Sequence, residues 1–132
     1  MVSSCILAVC ALIAVGVHAE KNIAVPSTLY ITVGTTGEIG LPVSANYRRE
    51  VMLSGGTYEE QLYRVCNGKN KKTCGYWESV KTKKKVVSGK TTYNKKKKAL
   101  IIKNMLDSDF GEYMTGNKKK SRFVVQLVSF GK

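Results

Sequence analysis

Histidine is almost absent from this sequence, and its scarcity excludes much of enzyme chemistry. The only histidine among the 132 residues, His18, lies in the apolar N-terminal run. Without an imidazole in the rest of the chain, the usual general base, metal ligand and triad partner is missing. The glycine-rich stretch at residues 34–40 has neither a phosphate-loop pattern nor a following helix. We therefore expect no enzymatic activity, no catalytic residue, no metal site and no cofactor.

Long apolar runs are also missing, except at the N-terminus. Residues 5–17 are apolar, and the small residues Val17 and Ala19 precede Glu20, which is typical of a secretory signal peptide. The run is shorter than the roughly 20 residues of a membrane span, so an uncleaved anchor is the less favoured interpretation. We expect a signal peptide at residues 1–19, one secreted domain at residues 20–132 with no membrane span, and, because no Asn-x-Ser/Thr sequon follows, no N-glycosylation.

Only two cysteines, Cys66 and Cys74, remain outside that N-terminal segment. An even number of cysteines in a secreted chain favours a disulfide over a metal site or a reactive thiol. In the loop-entropy model, a ring this short stabilises the fold by about 2 to 3 kcal/mol. We expect the bridge to close a hairpin whose turn carries three lysines.

Acidic residues are scarce: 9 Asp and Glu stand against 22 Lys and Arg, which gives a net charge of +13. The imbalance is confined to one part of the chain, since residues 20–65 contain four basic and five acidic residues and residues 66–122 contain seventeen basic and four acidic ones. Only four residues of the chain are arginine, the side chain that reads nucleic-acid bases in a bidentate way. We therefore expect an anionic partner contacted by lysine point charges, and no nucleic acid.

One stretch, residues 99–115, combines an apolar strand pattern with a tight acidic turn. Leu-x-Ile-x-Asn and an apolar residue are followed by Asp-x-Gly-x-Tyr, at Leu100, Ile102, Asn104, Met105, Asp109, Gly111 and Tyr113. This motif resembles strands E and F of the immunoglobulin superfamily and the turn that joins them. The resemblance implies an all-β fold, an immunoglobulin-like antiparallel β-sandwich, in which Asp109, Gly111 and Tyr113 form a structural corner with the tyrosine ring in the core. It also implies a basic partner for Asp109 near the start of strand D, for which the candidates are Lys81, Lys83, Lys84, Lys85 and Lys90.

Two positions depart from the family pattern. Thr115 stands where the family places the second cysteine of its inter-sheet disulfide, and Val43 stands where it places the first. Because both positions change together, we expect side chains to fill that space in the core. The family's tryptophan on strand C also has no counterpart; Trp77 comes later, and we expect it to pack on the sheet with its N–H hydrogen-bonded. The segment that runs from Cys66 through Cys74-Gly-x-Trp resembles one in small secreted one-domain immunoglobulin-like proteins of nematodes.

Alternating apolar patterns predict further strands at residues 28–33, 39–43, 47–54, 57–66 and 123–130. The pair Gly55-Gly56 predicts a tight turn between the third and fourth of these strands. A short strand D is expected before a turn at residues 95–98. In the last strand, Phe123, Val125 and Leu127 share one face.

Lysine clusters in the turns are the candidate binding surface. In immunoglobulin topology the turns at residues 95–98 and 118–120 lie at the same end of the sandwich, so the resemblance implies one basic patch. Such a patch attracts polyanions in a salt-dependent way. The candidate polyanion-binding residues are Lys95, Lys96, Lys97, Lys98, Lys118, Lys119, Lys120 and Arg122.

These observations predict a secreted, non-enzymatic recognition module at the cell surface or in the extracellular matrix. Its expected partner is an extracellular protein or a sulfated glycan, with glycosaminoglycan as the leading candidate. Three alternatives stay open: lysines that serve only solubility and edge protection, a cationic defence-type protein acting on anionic surfaces, and a nucleic-acid binder. No amphipathic helix supports the second alternative, and the signal peptide disfavours the third. The sequence leaves the oligomeric state open.

Overall fold

The computed structural model describes residues 27–127 of the chain. These residues form nine strands and one short 3₁₀ helix, which spans Asp107–Asp109 between the seventh and eighth strands. The strands are β1 (Ser27–Ile31), β2 (Gly37–Gly40), β3 (Asn46–Met52), β4 (Tyr58–Arg64), β5 (Trp77–Ser79), β6 (Lys90–Asn94), β7 (Ala99–Lys103), β8 (Gly111–Thr115) and β9 (Ser121–Gln126). The predicted signal peptide at residues 1–19 and the last residues of the predicted final strand lie outside the described part.

The strands pair into two sheets. One has six strands in the order β1-β9-β8-β3-β4-β5, and the other has three in the order β2-β7-β6. Strands C, F and G of a variable-type immunoglobulin domain share a sheet with C′ and C″, and these places are taken here by β3, β8, β9, β4 and β5. Strands β2, β7 and β6 take the places of B, E and D. The chain therefore has the predicted immunoglobulin-like sandwich, to which β1 adds a parallel edge strand beside β9.

The core lies between the sheets, and burial alternates along β2 and β3 as the period of two requires, whereas all three residues of β5 are buried. Its fully buried members include Ile39 of β2, Leu100 of β7 and Trp77 of β5. The Trp77 Nε1–H donates a hydrogen bond of 3.0 Å to the Thr91 hydroxyl on β6, so the predicted packing of this tryptophan is confirmed. Its ring meets the Tyr113 ring edge-on, with 5.6 Å between centroids.

The corner before β8 is built around Tyr113. Its side chain is fully buried, and its hydroxyl donates a hydrogen bond to the main-chain oxygen of Asp109. Burial raises the pKa of Tyr113 to about 12. The neighbouring Arg49 charge lowers the same pKa, but its effect is smaller than that of burial. At Gly111, a Cβ would overlap the carbonyl oxygen of Glu50 on β3, so only glycine allows β8 to approach β3 this closely.

The predicted basic partner of Asp109 is wrong. None of the five candidate lysines pairs with it; the Asp109 carboxylate instead binds Arg49 of β3, with 2.8 Å between Oδ1 and Nη1. Both side chains are 0% exposed. The physical reason is the register of β3, which turns Arg49 inward between Tyr47 and Val51 and leaves Arg48 on the outer face.

The prediction that Val43 fills the place of the first core cysteine is also wrong. Strand β2 ends at Gly40, and Val43 is 60% exposed beyond it, since Pro42 has no N–H with which to extend a strand ladder. Thr115 is buried and pairs in register with Tyr47. The Tyr47 ring stacks on Tyr93 of β6 at 5.1 Å between centroids. This aromatic pair joins the two sheets without a disulfide.

The apolar residues of β9 divide between two faces. Val124 is buried, whereas Phe123 and Val125 on the outer face of the six-stranded sheet, and Leu127 directly after β9, are 39%, 42% and 52% exposed. Phe123 and Val125 share one face as predicted, and that face is exposed to solvent.

Candidate functional site at the lysine-rich end of the sandwich

Residues 41–46, which lead from β2 into β3, form a central segment at one end of the sandwich. Three other connections are hydrogen-bonded to it. The Leu41 N–H donates to the Lys98 carbonyl (3.0 Å), the Gly116 N–H donates to the Asn46 carbonyl (2.9 Å), and the Val65 N–H donates to the Ala45 carbonyl (3.1 Å). The turns at residues 95–98 and 116–120 and the loop at residues 66–74 therefore surround one uncharged segment. We call this region the loop end.

Asparagine side chains fix both lysine turns. In the β6–β7 turn the Lys97 N–H donates to Asn94 Oδ1 at 3.0 Å. In the β8–β9 turn, Asn117 Oδ1 accepts a hydrogen bond of 2.7 Å from the Thr115 hydroxyl and one of 3.0 Å from the Lys119 N–H. Thr115, at the family's cysteine position, thus helps to shape a lysine turn. Lys95 to Lys98 and Lys118 to Lys120 are all exposed.

The loop between β4 and β5 is closed by the predicted disulfide between Cys66 and Cys74, which is confirmed. Asn67 Oδ1 accepts hydrogen bonds from the N–H groups of Lys69 (2.8 Å) and Asn70 (3.2 Å), and Asn70 Nδ2 donates to the Val65 carbonyl at 3.1 Å. Lys69, Lys71 and Lys72 are exposed on this loop. The sequence left the position of the loop open; the structure brings it to the same end as the two lysine turns.

Ten lysines therefore share the loop end: three on the disulfide loop, four on the β6–β7 turn and three on the β8–β9 turn. Neither these three connections nor the central segment contains an acidic residue. Within residues 27–127, two of the ten lysines form ion pairs, Lys97 with Glu38 (3.1 Å) and Lys118 with Glu60 (3.3 Å). Clustered like charges of this kind create a surface potential of several kT.

The pKa of the Glu60 carboxyl group is changed by nearby cations. Partial burial alone would raise the pKa of its carboxyl, but hydrogen bonds from Arg48 and Lys118 outweigh burial and lower that pKa. The Arg48 Nη1 to Glu60 Oε2 distance is 2.7 Å. Glu60 stays ionised to lower pH than an ordinary glutamate and neutralises part of the charge at the edge of the loop end.

Arg122 does not join the lysines, although it belongs to the predicted set. It lies in register with the buried Tyr113, which places its side chain on the inner side of β9. Its Nη1 donates to the Gly40 carbonyl oxygen at 3.5 Å. The guanidinium lies so close to Gly40 that a Cβ added there would contact Nη1. The structure thus assigns Arg122 to the contact between the two sheets.

A groove of about 680 Å³ lies beside the central segment. It is lined by residues 43–46 of the central segment, by Arg64 and Val65 at the end of β4, by Cys66, Asn67 and Asn70 of the disulfide loop, and by Lys95 of the β6–β7 turn. The exposed side chain of Val43 contributes an apolar wall. The groove therefore combines amide and hydroxyl groups, an aliphatic surface and two cations, Lys95 and Arg64.

Within residues 27–127, no group of three or more His, Cys, Asp and Glu side chains is arranged to hold a metal ion. No helix in this part of the chain is long and apolar enough to cross a membrane.

Comparisons with known proteins assign the chain to no family. No family model matches the chain, and no curated protein matches its sequence. Among solved structures, the chain is similar to the extracellular domain of the voltage-gated sodium channel beta4 subunit, with 16% sequence identity, coverage of 83% of this chain and 92% of that chain, and a TM-score of 0.44. That domain forms parallel homodimers that explain its role in cell–cell adhesion. The assignment of this chain to an immunoglobulin-like sandwich rests on its own strand order.

Proposed function

We propose that this protein is a secreted, non-enzymatic recognition module that binds an acidic glycan of the cell surface or extracellular matrix through its loop end. One observation carries the proposal: connections from four different places in the sequence meet at this end, and three of them bring ten exposed lysines with no acidic residue among them. If these lysines served only solubility, they would not need to be clustered at one end of the sandwich.

The chemistry of lysine favours sulfate groups over nucleobases. A lysine ammonium is a compact point charge that suits a single sulfate or carboxylate, whereas base readout favours the planar, bidentate guanidinium. The four arginines of the described residues are bonded to protein groups: Arg48, Arg49 and Arg64 pair with carboxylates, and Arg122 lies against Gly40. Arg64 lines the groove while paired with Glu78, and the exposed cations of the loop end are lysines.

An extended polyanion suits the loop end better than a small anion does. Exposed charge pairs are individually weak, at about 1 kcal/mol or less each, so one sulfate would bind poorly. A chain with many sulfates contacts several lysines at once, and the contributions add while salt weakens each of them. Sulfated glycans have this character and are abundant outside cells.

Binding of a heparin oligosaccharide to the full chain tests the proposal. The variant K95Q/K96Q/K119Q/K120Q removes four charges from the loop end and spares the ion-paired Lys97 and Lys118. Its matched control, K81Q/K84Q/K90Q/K103Q, removes four charges from exposed lysines outside the loop end. We expect the loop-end variant to raise Kd at least tenfold, since each lost contact contributes up to about 1 kcal/mol, and the control to raise it much less.

The same experiment separates the alternatives. Equal losses in both variants would mean that net charge alone drives binding, and the lysines would then serve solubility. If an acidic protein displaces the bound heparin oligosaccharide at a lower concentration than free oligosaccharide does, a protein partner is favoured. Leakage from anionic vesicles at micromolar protein would favour a defence-type function.

A further inference from the structure

The disulfide loop gives the loop end a third lysine-bearing side. The Val65 N–H holds this loop against the central segment through the Ala45 carbonyl. The groove of about 680 Å³ lies along this junction, between the central segment and the base of the loop, and reaches Lys95. Lys95 lines the groove itself, and Lys69, Lys71 and Lys72 lie farther along the loop whose base forms one groove wall.

The loop is fixed before any ligand arrives. Its ends are joined by the disulfide, and its interior is held by the hydrogen bonds of Asn67 and Asn70. Ordering a lysine-bearing loop on binding would reduce affinity, because backbone and side-chain freedom would be lost at that step. Here much of the backbone cost is met during folding.

The groove itself offers groups that suit a sugar ring. Ser44 provides a hydroxyl and Val43 provides an exposed aliphatic surface for the C–H face of a ring. The Asn67 and Asn70 amides that line the groove are bonded within the loop. Lysines alone would bind any polyanion. A groove with a hydroxyl group, an apolar wall and Lys95, next to a loop that carries three more lysines, suits a polyanion made of sugar rings.

We infer that this groove is a subsite for a sulfated glycan chain, which lies along the central segment with its sulfates on Lys95 and on Lys69, Lys71 and Lys72 of the disulfide loop. The inference rests on the proposed function, because it specifies where and how the glycan lies. It adds two requirements: the groove must be open, and the loop must be held by its disulfide.

Charge neutralisation on the disulfide loop tests the contacts. In K69Q/K71Q/K72Q we expect the Kd for a heparin oligosaccharide to rise about tenfold or more. The control K81Q/K90Q/K103Q removes the same charge from exposed lysines outside the loop end, and we expect it to change Kd less than threefold.

A second pair of variants tests the groove without changing a lysine. V43E places a carboxylate in the groove, and V87E makes the same change at a valine that is 78% exposed outside it. We expect V43E to weaken binding at least five times more than V87E does. The variant C66S/C74S, checked by circular dichroism to confirm that it is folded, should also bind more weakly than the parent.

The outcomes distinguish this inference from the proposed function. If K95Q/K96Q/K119Q/K120Q loses binding while K69Q/K71Q/K72Q and V43E bind as tightly as the parent, the groove subsite is wrong and glycan recognition by the two turns stands. If the parent protein does not bind the oligosaccharide at all, both fail. Selective loss in K69Q/K71Q/K72Q and V43E supports the subsite.

Discussion

Arg49 and Asp109 form an ion pair of 2.8 Å in which neither side chain is exposed to solvent. The same Arg49 nitrogen donates to the Tyr113 hydroxyl at 2.8 Å, and the guanidinium lies 4.3 Å from the centre of the Trp77 ring. Asp109 also accepts hydrogen bonds from the Ser88 hydroxyl and the Gly89 N–H, which precede β6. The pair thus connects β3 of one sheet, the corner before β8 and the segment that enters the other sheet.

Replacing Arg49 should destabilise the fold strongly. In R49M, Asp109 keeps a buried charge with no cation, and we expect the free energy of unfolding to fall by about 3 to 5 kcal/mol. The neighbouring residue provides the control, because the Arg48–Glu60 pair is 28% and 29% exposed; R48M should lower the free energy of unfolding by about 1 kcal/mol or less. Urea denaturation measures both, and equal losses would show that the buried pair has no special role.

Alkaline pH should weaken the fold through Tyr113. Burial raises the pKa of Tyr113 from 10.0 to about 12 in the folded protein. A group whose pKa is raised on folding contributes its full stabilisation below the unfolded value and loses it as pH rises through the folded value. We expect roughly 3 kcal/mol of stability to be lost between pH 10 and pH 12 from this residue.

The variant Y113F checks this assignment. It should be less stable than the parent near neutral pH, because the hydrogen bonds to Arg49 and Asp109 are lost. Its stability should fall less steeply above pH 10. Burial also raises the pKa of Tyr47 and Tyr63, so some alkaline loss remains in Y113F. Parallel curves for the two proteins would contradict the account.

A methyl group at Gly111 should not be tolerated. The Cβ of G111A overlaps the Glu50 carbonyl oxygen, which belongs to the paired backbone of β3, so relief requires separating β3 from β8. We expect a loss of about 3 kcal/mol or more in the free energy of unfolding. In the control G55A, the φ of +104° is unfavourable but no atom lies within 4 Å of the new Cβ; about 1 to 2 kcal/mol is expected. A smaller loss in G111A than in G55A would contradict this explanation.

The sequence predicts those parts of the fold that local patterns determine. The Gly55-Gly56 turn, the disulfide and the packing of Trp77 follow from turn residues and cysteine pairing, and all are present. Alternation places the predicted strands within the described residues, although β2 ends at Gly40 and not at residue 43. A tyrosine two residues after a glycine indicates a corner because that arrangement is local. The resemblance to the immunoglobulin superfamily supplies the strand order that these local signals lack.

What the sequence does not predict depends on register and on distant contacts. Arg48 and Arg49 are adjacent and chemically identical, and only the pairing of β3 with β8 decides which one is buried. The inward position of Arg122 follows from the same kind of register on β9. The position of the disulfide loop depends on a hydrogen bond from Val65 to Ala45. No pattern within either segment indicates that contact, so the third side of the loop end was not predicted.

The most direct test of the account is to map the binding surface by NMR. Amide resonances of the full chain would be followed while a heparin oligosaccharide is added at physiological salt. The largest shifts should fall on residues 41–46, 66–74, 95–98 and 116–120, with little change around the Gly55-Gly56 turn. Shifts concentrated on the outer face around Phe123 and Val125, or an absence of shifts at saturating oligosaccharide, would contradict the claim that the loop end is the recognition surface.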